Sequence, residues 1–165
     1  MAIDMIIHDS RLAGAPPSIA DNIYGVGPWA SVGHILAWTA VVADGGGGLR
    51  KLMIMCHGYP GGLQLGAEDV TTKTVSLFGK LQGKVKNIVL YACSPAQVSV
   101  STGRSGKMLC AQMAGYSKAN VFASDATQFY TGATSIIDFG SWEGTVFWFT
   151  PNGHWRAIDS DFSLP

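Results

Sequence analysis

A thiol and an imidazole are the groups in this sequence best placed to do chemistry. His57 directly follows the apolar run 50–56, and Cys93 directly follows the apolar run 87–92. A nearby imidazole lowers a thiol's pKa and yields the thiolate, which is the nucleophile. The same histidine can then protonate a leaving group. Gly58 comes next to the histidine and has no side chain to shield its backbone N–H. With the Cys93 N–H it could form an oxyanion hole over a reacting carbonyl. Spacing alone fits equally well a small buried cysteine and an ordinary loop histidine.

The pair can meet only if the two runs are neighbouring parallel strands. Active groups in such sheets collect outside the carboxyl ends of the strands. Ends of adjacent strands lie about 5 Å apart. The pattern along the chain supports this arrangement. Residues 2–8 suit a first strand, and 9–28 hold Gly14, Pro16, Pro17, Gly25, Gly27 and Pro28, which reads as a long loop. From Trp29 to about Ala43 the residues Val32, Ile35, Leu36 and Val42 suit a buried helix, stopped by Asp44 and the glycines that follow. Residues 50–56 predict a central strand ending in a 57–62 loop. Residues 71–83 predict a helix with Val75, Leu77, Phe78 and Leu81 inward. Strand 87–92 delivers Cys93, a loop runs from Ser94 to Thr102, and a helix over 104–116 turns Met108, Leu109, Met113 and Ala114 inward. A third central strand covers 120–124, and 144–149 with 154–158 predict a hairpin. Strands alternating with helices mean a parallel sheet with right-handed crossovers.

The stretch Leu52–Gly66, with Cys56-His57-Gly58 inside it, is followed by Ile88–Cys93 and then by Val121–Asp125. This series resembles the caspase-like cysteine peptidase clan, and most of all a bacterial branch often embedded in large surface or repeat proteins. That clan pairs an apolar strand ending in His-Gly with a later apolar strand ending in Ala-Cys, histidine first. The likeness covers residues 50–125 of a single domain spanning 1–165. It implies the caspase-hemoglobinase fold, an α/β architecture in three layers with a mostly parallel sheet flanked by helices. It further implies His57 as base or acid, Cys93 as nucleophile, a peptide or protein substrate and no cofactor. The region before Arg50 carries no recognisable part of the pattern. No substrate-pocket signature and no self-cleavage linker is visible.

Asp125 ends the third strand on the same edge as the pair. A carboxylate there could select a basic substrate side chain or orient His57; the plainer role is a turn cap. Cys56 alternates to the opposite face from His57 and reads as core, as does Cys110 among Met108, Leu109 and Met113. His8, His34 and His154 belong to no motif, and His34 reads as a core histidine. No Cys or His spacing suits a structural zinc site, so no metal is expected. The Gly103–Lys107 stretch fails the phosphate-loop pattern at Ser101 and Met108, which leaves a loop before a helix. Trp142, Trp148 and Trp155 read as packing residues.

Composition narrows the function classes. Eleven basic residues balance eleven acidic ones, so no basic stripe exists to grip nucleic acid. No apolar run approaches the roughly 20 residues of a membrane span. The start lacks a basic n-region, so the expected location is the cytoplasm, or another cell reached by delivery without a classical signal peptide. Three cysteines without an export signal read as thiols, not a disulfide scaffold. Three functions stay open: a cysteine peptidase, an inactive caspase-like interaction domain, and another cleft-binding hydrolase or small-molecule binder.

Overall fold

The structure is a computed structural model, which describes residues 2–98 and 105–165. The end of the expected 94–102 loop and the start of the Gly103–Lys107 stretch lie outside the described residues.

Nine strands are described: β1 Ile3–Asp9, β2 Asn22–Val26, β3 Leu49–Met55, β4 His57–Tyr59, β5 Gly62–Gln64, β6 Val85–Tyr91, β7 Asn120–Ser124, β8 Val146–Phe149 and β9 Trp155–Ile158. Two α-helices join them, α1 Val32–Gly45 and α2 Gly106–Ser117, with a 3₁₀ helix at Val75–Leu81. Seven strands form one sheet in the order β2-β1-β3-β6-β7-β8-β9, while β4 and β5 make a separate hairpin. The pairs from β2 through β7 are parallel, and β7–β8 and β8–β9 are antiparallel. The molecule is therefore α/β, built on a mostly parallel central sheet flanked by helices.

The central strands are apolar on both faces because both faces are covered. Leu52 and Ile54 of β3, and Ile88 and Leu90 of β6, pack in one cluster with α1, the 3₁₀ helix and α2. Met53, Met55 and Val89 pack in a second cluster with Leu12, Ile137, Tyr91, Tyr130, Phe139 and Trp142. No described helix supplies a residue to that second cluster. The third layer is therefore irregular chain rich in aromatic rings. Topology explains part of the asymmetry. The step from β1 to β2 runs opposite to the later crossovers, so a right-handed connection puts it on the other face. That connection contributes Leu12 and Ala20 to the second cluster.

Several expectations need correction. Strand β2 lies inside the stretch read as a loop, 9–28. Helix α1 begins at Val32, not Trp29: Ser31 caps it by accepting from the His34 N–H, and Trp29 is exposed. His34 is exposed, not core. The 71–83 segment is a 3₁₀ helix over 75–81, with Val75, Phe78 and Leu81 buried at spacing three, the period at which 3₁₀ side chains stack. The 57–62 loop is a tight hairpin. Helix α2 starts at Gly106, and Met108 faces solvent while Cys110 takes the inward place.

Candidate active site

Strands β3 and β6 run side by side in register, Met55 opposite Tyr91, and the Cys56 N–H donates to the Tyr91 carbonyl at 3.3 Å. Beyond that last rung the two chains stay in contact. A Cβ built on Gly58 would stand 2.7 Å from the Cys93 carbonyl oxygen, 2.9 Å from the Ala92 Cβ and 3.2 Å from the Cys93 nitrogen. Only glycine allows this approach. His57-Gly58 and Ala92-Cys93 thus lie against each other at the carboxyl end of the sheet.

Both side chains bond to segments next to residues that pack on the helix-free face. Cys56 and Ala92 belong to the helix-side cluster and Met55 and Tyr91 to the other, and His57 and Cys93 bond to chain that flanks the Met55 and Tyr91 side. His57 Nε2 donates to the Arg11 carbonyl at 2.9 Å, next to Leu12. The Cys93 thiol donates to the Gln128 carbonyl at 3.7 Å, close in sequence to Tyr130. A carbonyl only accepts, so Nε2 carries a hydrogen, and in the neutral ring Nδ1 then holds the lone pair. Among the described residues no hydrogen bond joins His57 to Cys93. His57 is exposed and Cys93 half-buried.

The hairpin also sets the Gly58 N–H. Gly58 pairs with Leu63, but both backbone groups of Leu63 bond to Val70. Gly58 and Leu63 are therefore a non-hydrogen-bonded pair, and the Gly58 N–H points off the outer edge of the hairpin. Ser94, directly after Cys93, is buried and has φ +56°, a left-handed conformation costly for a residue with a Cβ. Its N–H donates to Ala126 at 3.0 Å, which holds the turn that carries Cys93.

Asp125 bonds to the neighbouring strand connection. Its Oδ1 accepts from the Thr145 N–H at 3.0 Å and its own N–H donates to the Thr145 carbonyl at 3.2 Å. That is a cap extending the β7–β8 ladder. Cys56 and Cys110 are buried, and burial pushes both thiols well above their ordinary pKa. Among the described residues, no three His, Cys, Asp or Glu side chains gather as a metal-binding group, and no helix is long and apolar enough to cross a membrane.

The sequence did not reveal Arg11 and Gln128. Buried Gln128 staples the chain beneath Cys93: its Nε2 donates to the carbonyls of Ala126 (3.0 Å) and Glu143 (2.9 Å), and its Oε1 accepts from the Glu143 N–H (3.0 Å). Both residues touch the pair through backbone carbonyls, which carry no sequence signal. Asp9 did have one, since it too stands at the carboxyl end of an apolar strand. A groove of about 360 Å³ lies on the same face, lined by Met55, Tyr91, Ile19, Ile136, Phe139 and Asp138 among others. Met55 and Tyr91 are each two residues before His57 and Cys93. A larger hollow of about 570 Å³ lies at the opposite end of the strands, at Leu49, Val85 and Asn120, remote from the pair.

Fold and site together define an α/β domain with a histidine and a cysteine just past the carboxyl ends of adjacent parallel strands. The family is shown by residues 32–144, which match the Domain of unknown function (DUF4347) over more than half of the chain, and the protein belongs to that family. No curated protein and no solved structure matches it.

Proposed function

We propose that this chain is a caspase-like cysteine peptidase domain with His57 and Cys93 as its dyad. The observation that carries the reading is the contact of Gly58 with Cys93, which sets the chain at His57 against the chain at Cys93. In the reaction, His57 Nδ1 takes the thiol proton and the Cys93 sulfur attacks the peptide carbonyl carbon. The oxyanion forms toward the N–H groups of Gly58 and Cys93. The C–N bond breaks, His57 gives its proton to the leaving amine, and a thioester remains. Water attacks the thioester, releasing the acid and restoring the thiol.

The groove beside the pair supports a large apolar side chain in the substrate. Its walls are mostly apolar, and its one charged residue is Asp138, whose Oδ1 accepts from the Gly140 N–H at 2.8 Å. Tyr91 stacks on Trp142 and packs at a tilt against Phe139, which gives that wall an aromatic backing.

A second reading, an inactive domain that binds peptides, is favoured by one observation: the Cys93 thiol is directed to Gln128, not to His57. Incubation with a peptide library separates the two. The peptidase reading expects cleavage that Cys93→Ala lowers at least about a thousandfold with the fold retained. Cleavage undiminished in Cys93→Ala would defeat it.

A further inference from the structure

Asp9 ends β1 with no exposed surface. A carboxylate buried so completely requires partners, and four donors surround it. Arg11 gives Nε to Oδ1 (2.9 Å), Nη2 to Oδ2 (2.7 Å) and its backbone N–H to Oδ1 (3.0 Å), and the Gly66 N–H reaches Oδ2 (2.9 Å). The Arg11 Nη2 also donates to the Gly66 carbonyl at 2.7 Å. Gly66 lies two residues past Gln64, the residue of β5 that pairs with His57 at the open end of the hairpin. It is fixed in turn, with φ +69° and room for no Cβ, which would stand 2.1 Å from the Ala30 carbonyl oxygen. Arg11 is therefore tied to both strands at the open end of that hairpin. Its side chain grips Gly66, and its own carbonyl receives the His57 Nε2 hydrogen at 2.9 Å.

We propose that Asp9 and Arg11 are positioning residues for His57, their paired side chains fixing the carbonyl that selects its Nε2–H tautomer. The proposal rests on the dyad reading of His57 and Cys93. A bidentate guanidinium–carboxylate pair suits the task because it sets orientation as well as distance. With Nε2 committed to Arg11, Nδ1 is kept free to exchange a proton with the thiol.

The test combines histidine ¹⁵N resonances with the rate of Cys93 alkylation by iodoacetamide at pH 7. Arg11 is itself partly exposed, but Arg11→Ala leaves the buried Asp9 carboxylate without its cation, so the fold of the variant is checked first by circular dichroism. The expected result is a His57 ring that averages between tautomers and alkylation slower by about tenfold. In a His57→Ala background the same substitution should cause no further slowing. If Arg11→Ala does not fold, Arg11→Lys carries the same test, since an ammonium cannot make the fork. A folded variant with the parent tautomer and rate would overturn the proposal, and so would slowing that persists without His57. Parent-rate alkylation in His57→Ala alone would overturn the dyad instead, while the ring resonances still report on the clamp.

Discussion

Gly58 and Cys93 touch through their backbones: a Cβ on Gly58 would stand 2.7 Å from the Cys93 carbonyl oxygen. The obstacle is main chain, which cannot rotate away. Gly58→Ala should therefore force β4 off the end of β6, at a cost of about 1–3 kcal/mol. A lower thermal midpoint together with slower Cys93 chemistry is the expected pair of changes. A variant with the parent's midpoint and reactivity would show that the contact does not matter.

The three cysteines should react in a fixed order. Cys93 is half-buried, whereas Cys56 and Cys110 are buried and burial holds their thiols protonated. Brief treatment of the native protein with iodoacetamide, followed by peptide mass mapping, should find Cys93 modified first. In concentrated urea all three should be modified alike. Native modification of Cys56 ahead of Cys93 would contradict the placement of these groups.

Acid should loosen the clamp at the end of β1. Burial alone would raise the Asp9 carboxyl, but the Arg11 guanidinium and the Gly66 and Arg11 N–H groups outweigh it and hold the carboxyl below its ordinary 3.8. The folded chain thus binds this proton less readily than the unfolded one. The stabilisation is fully present above the unfolded pKa, near 4, and is lost as pH falls through the folded pKa. Denaturation curves from about pH 5 to 2 should fall less steeply for Asp9→Asn, which has no such proton to gain. Parallel curves would show that Asp9 contributes nothing to the acid response.

The groove beside Met55 and Tyr91 predicts a preference for Leu, Met or Phe in the substrate. Ile136 lines it and is 62% exposed, so Ile136→Lys should leave the fold intact and weaken that preference about tenfold, since a lost apolar contact of this size is worth 1–3 kcal/mol. A cleavage profile that favours Asp, or one the substitution leaves unchanged, would place the substrate elsewhere.

What the sequence revealed follows from where water is excluded. Strands β3, β6 and β7 are covered on both faces, so Leu52–Met55, Ile88–Leu90 and Val121–Ala123 appear as unbroken apolar runs. Strand β2 is the sheet edge, with Ile23 and Gly25 open to solvent, and its pattern is lost among glycines and prolines. The 3₁₀ helix was hidden because residues three apart fall on one side of an α-helix as well. At the site, the positions of His57 and Cys93 after apolar strands could be read directly. Arg11 and Gln128 could not, because any residue supplies a carbonyl; only the path of the chain selects these two.

The dyad itself is tested most directly by a peptidyl chloromethyl ketone carrying leucine next to the reactive group, whose carbonyl must be recognised before its carbon is captured. Intact-mass and peptide analysis should show one thioether on Cys93 in the parent. His57→Ala should slow its formation at least about a hundredfold, the lower end of what a positioned acid–base group supplies. No adduct at Cys93, or one that forms equally fast without His57, would contradict the account.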